Sequence, residues 1–352
     1  MAMLNDKLIG LTPYDPTPAG DRVRLDANES FLPMPASILA RAEEKLLGLT
    51  YNRYPDPAAR ELCQAFAARY GVPSENVVAG NGSDELISVL FLGFLEKGDA
   101  FATLEPDFSM YGFNGFLNEA RQVKIPKRED FSIDVEATIA RCREEQVKLL
   151  IFSNPCNPTS VVLPRESVRR LVRGVPDTLV VLDEAYMDFS DQSLLGEFAD
   201  YDNLLILRTC SKAVGMAALR LGFAVGSKPL IDAVKAVKAP YNVNALSQAF
   251  GTAVLESGEE LDQALAAILA SREVLIAGLK RLQEEYPGRF ELLPCDANFA
   301  ALVTPEDRGI YEYLWDHGVA VRLTGGVLRI TCGAEAENQA VLAALSAYFQ
   351  EG

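Results

Sequence analysis

The chain has 352 residues, 49% hydrophobic and 23% charged, an ordinary globular composition with length enough for one large core or two lobes. Lysine plus arginine number 33 against 49 aspartate plus glutamate. The net charge of −16 repels nucleic acid and anionic membranes, although a few buried arginines can reverse the field locally.

Residues 1–16 lack the apolar stretch of a signal peptide, and the first fifty residues are rich in proline, with no strong period before Ile38. They read as an arm that needs another surface to order it. From residue 58 onward, short apolar runs alternate with helical patterns. The runs Val77–Ala79, Ala100–Leu104, Gln122–Ile125, Leu149–Phe152, Leu179–Leu182, Leu204–Leu207 and Phe223–Val225 predict buried strands. Between them, Pro57–Arg69, Ser83–Leu95, Val135–Glu145 and Glu166–Arg173 predict helices, so the chain is α/β with a mostly parallel sheet. Residues 246–285 read as helix with a break at Ser257-Gly258. A smaller α/β lobe follows, with strands at Phe290–Leu293, Phe299–Val303, Val319–Arg322 and Val327–Thr331, and helices at Gly309–His317 and Glu335–Phe349. The one histidine, His317, falls at a helix C-terminus, which makes histidine-driven chemistry and multi-histidine metal sites poor readings. Six scattered cysteines without a C-x-x-C pair fit free thiols in a reducing cytoplasm.

Ligands of open α/β sheets sit beyond the carboxyl ends of the strands, and four predicted strand ends are polar. Val77–Ala79 runs into Gly80-Asn81-Gly82-Ser83-Asp84, where free helix amides can take an anion. Ile151-Phe152 runs into Ser153-Asn154-Pro155-Cys156-Asn157-Pro158, a stiff loop that presents Asn157. Leu179–Leu182 ends in Asp183, with Tyr186 three residues on, and a buried carboxylate there needs a cation. A P-loop ATPase would share that look, but G-x-x-x-x-G-K-[ST] is absent from the sequence. Leu204–Leu207 leads to Arg208-Thr209-Cys210-Ser211-Lys212, with Arg220 beyond, a hydroxyl and a guanidinium suited to a phosphate and an amine suited to an aldehyde.

These strand ends, in this order, join Leu25-Asp26-Ala27-Asn28-Glu29, Asn52-Arg53-Tyr54-Pro55, Pro106-Asp107-Phe108-Ser109-Met110-Tyr111, Asp296-Ala297-Asn298-Phe299 and Leu328-Arg329-Ile330-Thr331. Together they resemble, almost end to end, the fold-type I aminotransferases that use pyridoxal 5′-phosphate, and within them the histidinol-phosphate aminotransferases. The resemblance implies an α/β fold: a large domain with a mostly parallel seven-stranded sheet between helices, plus a smaller α/β C-terminal domain. Its division would be an arm at 1–24, a small domain at 25–50 and 262–352, and a large cofactor-binding domain at 51–261. A cytoplasmic homodimer is implied, with no nucleic acid, membrane or metal partner. Lys212 would form the internal aldimine, with Asp183 on the pyridine nitrogen and Tyr186 and Asn157 on the ring hydroxyl oxygen. Ser83, Asp84, Ser211 and Arg220, with Thr209 nearby, would hold the phosphate, and Phe108 would stack on the ring. Tyr54 would reach the neighbouring subunit's phosphate and Tyr14 its substrate, while Arg329, assisted by Arg322, would bind the substrate's anionic group. The implied reaction is ping-pong transamination of L-histidinol phosphate with 2-oxoglutarate and glutamate in histidine biosynthesis.

Three features depart from the pattern: Cys156, Ser160 where the Asn-Pro loop commonly ends in glycine, and a short 323–328 segment. They leave aromatic amino-acid transamination and threonine-phosphate decarboxylation open on the same fold. From another class, Gly80-x-Gly82 with Glu105 could serve a nicotinamide-dependent dehydrogenase, but Glu85 stands where the third glycine belongs. A cofactor-binding regulator would need a basic DNA-binding segment, and none stands out.

Overall fold

The computed structural model describes residues 5–9, 11–12 and 19–351. The strands, in chain order, begin with β1 (Val23–Arg24), β2 (Val77–Asn81), β3 (Ala100–Glu105), β4 (Arg121–Pro126), β5 (Leu149–Ser153) and β6 (Leu179–Asp183). They continue with β7 (Leu204–Thr209), β8 (Leu221–Gly226), β9 (Glu291–Leu292), β10 (Phe299–Val303), β11 (Val319–Ala320), β12 (Arg322–Thr324) and β13 (Val327–Thr331).

β2 to β8 form a seven-stranded sheet in the order β2-β8-β7-β6-β5-β3-β4, with β8 alone antiparallel to its neighbours. Its central strands are buried on both faces, and their near-continuous apolar sequences follow from that. In β7, Leu204 and Ile206 join the core on one face, while Leu205 and Leu207 join the core on the other. The first face is covered by helices Arg60–Tyr70, Val135–Glu144, Arg165–Gly174 and Ala245–Leu255; the second by Ser83–Phe94 and Lys228–Val237. Asp134 caps one of these helices by accepting from the Ala137 amide at 3.0 Å, and Asn244 caps another from Ser247 at 2.9 Å.

The C-terminal lobe is a four-stranded antiparallel sheet in the order β12-β13-β10-β9. It packs Phe299, Leu302, Leu328 and Ile330 against Leu275 and Leu279 of helix Gly258–Glu285 and Val341 and Leu345 of helix Glu335–Glu351. Tyr186 and Ala213, which follow strands of the large sheet, belong to this second core. The carboxyl ends of β6 and β7 therefore meet the small lobe.

Element ends differ from the sequence reading where local bonds decide them. The first large-lobe helix starts at Arg60 rather than Pro57, because Ala59 adopts φ 46° and the Asp56 carboxylate takes the Arg60 amide at 2.8 Å. The expected strand Val319–Arg322 splits in two, since β11 pairs with β1 and β12 with β13. Helix Asp307–Asp316 ends at His317, whose ring stacks on Tyr313 with Nδ1 2.8 Å from the Tyr313 carbonyl oxygen. Among the described residues, no helix is long and apolar enough to cross a membrane.

Candidate active site

The ends of β5, β6 and β7 lie side by side, with Ser153 opposite Asp183 and Asp183 opposite Leu207. Asp183 is buried; its Oδ2 accepts from the Tyr111 hydroxyl at 2.8 Å and its Oδ1 from the Ala185 amide at 3.1 Å. Both donors are neutral. Burial pushes the carboxyl up to about 7, against the pull of these two bonds, and the charges of Asp107 and Asp84 add to the rise. Such a group calls for a cationic N–H partner.

Lys212, three residues past β7, donates from Nζ to the Ala27 carbonyl at 2.9 Å and lies 5.8 Å from the Tyr186 ring centre. The Tyr186 hydroxyl accepts from Asn28 Nδ2 at 2.9 Å. Asn28 is fully buried at φ 54°, and Thr331 holds it through both its amide and its side-chain oxygen. The first strand's continuation is thus fastened to the phenol that follows β6.

Asn157 donates its amide to Ser153 Oγ at 2.9 Å and accepts at Oδ1 from Arg329 at 2.6 Å. Arg329 also donates to the Asp26 carbonyl and lies over the Phe299 ring, 5.5 Å from its centre. Arg322 is its direct cross-strand partner. Ser160 sits at φ 64°, the backbone that explains the usual glycine there. Its hydroxyl accepts from the amides of Asp296 and Ala297, each at 3.0 Å, which offsets the strain.

At the turn after β2, Gly82 has φ 84°, and helix Ser83–Phe94 begins next to it. Arg220, itself at φ 52°, reaches this turn: it donates to Asp84 at 3.1 Å and to Ser211 Oγ at 3.4 Å. The Ser211 amide donates to Thr209 Oγ1 at 3.1 Å. Gly222 of β8 permits the close approach, because a Cβ there would lie 2.3 Å from the Ser83 nitrogen. Helix amides, a hydroxyl and a guanidinium thus converge on one turn, a candidate anion cradle.

Residues 21–345 match the family described as aminotransferase class I and II. The chain belongs to the class I and II aminotransferases. A histidinol-phosphate aminotransferase of Clostridium kluyveri is 37% identical over 349 residues, covering 98% of each chain. One from Clostridium novyi is 36% identical, covering 94% of this chain and 92% of its own. Among solved structures, the histidinol-phosphate aminotransferase of Sinorhizobium meliloti, in complex with pyridoxal-5′-phosphate, superposes with a TM-score of 0.89 at 24% identity. It covers 100% of this chain and 98% of that one, and shares the fold. Family membership replaces the dehydrogenase and regulator readings.

Within this aminotransferase chain, the structure brings together Asp183, Tyr186, Lys212, Asn157 and Arg329 through Asn28, Ala27 and β13, and gathers Ser83, Asp84, Thr209, Ser211 and Arg220 at the cradle. Phe108 meets Tyr111 edge to face, with ring centres 5.6 Å apart. Tyr54 is 81% exposed and stacks on Tyr241 at 4.5 Å. Tyr14 lies outside the described residues. Tyr111 and Asn28 stand in the sequence motifs quoted above, but their partners lie far along the chain, Asp183 for the one and Tyr186 for the other. Tyr111 lies in the first turn of helix Met110–Leu117, three residues after Phe108, whose carbonyl takes the Tyr111 amide at 3.2 Å.

Proposed function

We propose that the chain transfers the amino group of L-histidinol phosphate to 2-oxoglutarate, giving glutamate, with pyridoxal 5′-phosphate as cofactor, in the cytoplasm and as a homodimer. The observation that carries the reading is Asp183, a buried carboxylate with only neutral hydrogen-bond donors, placed one strand from the lysine-bearing end of β7. The cofactor fits these residues: its protonated ring nitrogen is the cation Asp183 lacks, and its phosphate matches the cradle of Ser83, Asp84, Ser211 and Arg220, with Thr209 behind. When bound, pyridoxal phosphate supplies an aldehyde for the amino group and a ring that takes up the electron pair left at Cα.

The chain's own residues do the rest. Asp183 keeps the proton on the ring nitrogen. Tyr186 and Asn157 orient the ring hydroxyl, and Phe108 covers the ring face. Lys212 Nζ holds the cofactor, and as a free amine carries the proton away from Cα and back as general base and acid. Arg329 and Arg322 take the substrate's anion; paired guanidinium bonds suit both the phosphate of histidinol phosphate and the carboxylate of glutamate. Tyr54, exposed in one subunit, and Tyr14 complete the neighbour's site. The lobes divide as arm 1–24, small domain 25–50 and 262–352, and large domain 51–261.

Lys212→Ala tests the reading: turnover and the borohydride-sensitive visible band should both vanish, and full activity in that variant ends it. Parallel assays with histidinol phosphate, phenylalanine and threonine phosphate, with 2-oxoglutarate where needed, decide the substrate. Faster turnover of either competitor would replace histidinol phosphate.

A further inference from the structure

Cys156, one of the departures in the Asn-Pro loop, stands apart from the other five thiols. Its Sγ lies 2.9 Å from Lys127 Nζ. Both side chains are buried, at 2% exposure each. Lys127 follows β4 and is held there: its amide donates to the Glu105 carbonyl at 2.9 Å, and Nζ donates to the Pro106 carbonyl at 2.7 Å and lies 3.9 Å from the Asp107 carboxylate. The Cys156 amide donates to Val161 at 3.0 Å and its carbonyl accepts from Ser160 at 2.7 Å, so the loop holds the thiol facing Lys127. They share the wall of a cavity of about 160 Å³, many times the room a water or peroxide molecule needs.

We propose that Lys127 and Cys156 are an oxidative modification site, joined by a nitrogen–sulfur bond when a hydroperoxide reaches that cavity. The thiolate attacks the peroxide and the O–O bond breaks; sulfur takes one oxygen as sulfenic acid, and the other leaves as water with a proton from the Lys127 ammonium, which is left as the neutral amine. The Lys127 amine then attacks sulfur; the N–S bond forms, the S–O bond breaks, and the lost N–H proton leaves with the hydroxide as a second water. One amine, one thiol and one hydrogen peroxide give the linkage and two waters, with sulfur oxidised by two electrons and peroxide reduced by two. Cys63, Cys295 and Cys332 direct their thiols at backbone carbonyls. Burial pushes Cys63 and Cys295 up to about 11, and Cys142, Cys210 and Cys332 up to about 12, so they resist oxidation.

The bond acts on the candidate site through one residue. Drawing Sγ toward Nζ shifts the loop at Asn157, whose amide is tied to Ser153 and whose side chain accepts from Arg329. This coupling rests on the proposed role of Arg329; the linkage itself does not.

The full-length protein, treated with hydrogen peroxide, digested without reductant and measured by mass spectrometry, tests the linkage. Expected are peptides bearing Lys127 and Cys156 joined at two hydrogens below their summed mass, separated by dithiothreitol and absent from Lys127→Met and Cys156→Ser. A wild-type chain with Cys156 as sulfinic acid beside a free Lys127, or as an unmodified thiol, overturns the proposal whether or not the variants fold. Transamination lost in proportion to the linkage and restored by dithiothreitol supports the coupling, whereas full activity in linked protein overturns it. A chain inactive before peroxide fails the functional reading and leaves the mass test intact.

Discussion

Tyr111 donates its hydroxyl hydrogen to Asp183 across 2.8 Å, and both side chains are buried. Burial, with the Asp183 charge behind it, pushes the phenol well above its ordinary range, so the hydroxyl remains a donor at any working pH. Hydrogen bonds to charged groups are worth about 1.5–3 kcal/mol, or roughly 10–100-fold in a rate or equilibrium. Tyr111→Phe should therefore lower kcat/KM by about that factor and move the acidic limb of its pH profile upward, because Asp183 then holds its proton more firmly. Superimposable profiles for the two proteins would assign the hydroxyl a packing role only.

The same carboxylate makes the cofactor-free protein sensitive to pH. Its folded-state value of about 7 lies above the ordinary ~3.9, so between these values the folded chain keeps a proton that the unfolded chain has released. Stability from this group is complete below about pH 4, declines as pH rises, and is lost above about pH 7, by an amount on the order of 4 kcal/mol. Asp183→Asn cannot ionise. Stripped of cofactor, it should melt above stripped wild type at pH 8, with the gap closing toward pH 4. Calorimetry across that range checks the sign, and a gap independent of pH would place the cost elsewhere.

Much of this was legible in the sequence because apolar period and punctuation are local signals. All seven strands of the large sheet, the helix break near Ser257-Gly258 and the limits of β10 and β13 follow from patterns of a few residues. The polar strand ends were legible too, since Asp183 directly follows one buried apolar run and Lys212 lies five residues past the end of another. What was not legible depends on contacts between distant segments. Asn28 meets Tyr186 across 158 positions, and Arg322 meets Arg329 only because a short hairpin folds back on itself. The Lys127–Cys156 contact joins the end of one strand to a loop after the next, which no window on the sequence reveals.

Gly222 offers a test of the anion cradle that removes none of its polar groups. A methyl there would lie 2.3 Å from the Ser83 nitrogen and 2.5 Å from the Gly82 carbonyl carbon, both backbone atoms that cannot swing aside. Gly222→Ala must push the turn away from Arg220 and Ser211. Overpacking of this kind costs about 1–3 kcal/mol, and the cofactor's dissociation constant, read from its visible band, should rise about 10–100-fold. An unchanged constant would mean that the turn at 82–84 does not carry the phosphate.

Arg329 is expected to act on substrate rather than on cofactor. Its guanidinium is held by the Asn157 side chain, the Asp26 carbonyl and the Phe299 ring, which fixes the orientation in which it would meet an anion. Lysine keeps the charge but not the planar fork, and cannot hold Asn157 and an anion at once. Arg329→Lys should raise KM about 10–100-fold for histidinol phosphate and for glutamate alike, because both anions use the same anchor. The visible band of the bound cofactor should remain, which separates a lost anchor from a collapsed site. A rise confined to one of the two substrates would show that the phosphate and the carboxylate are read by different residues, and Arg322 would then be the next position to substitute.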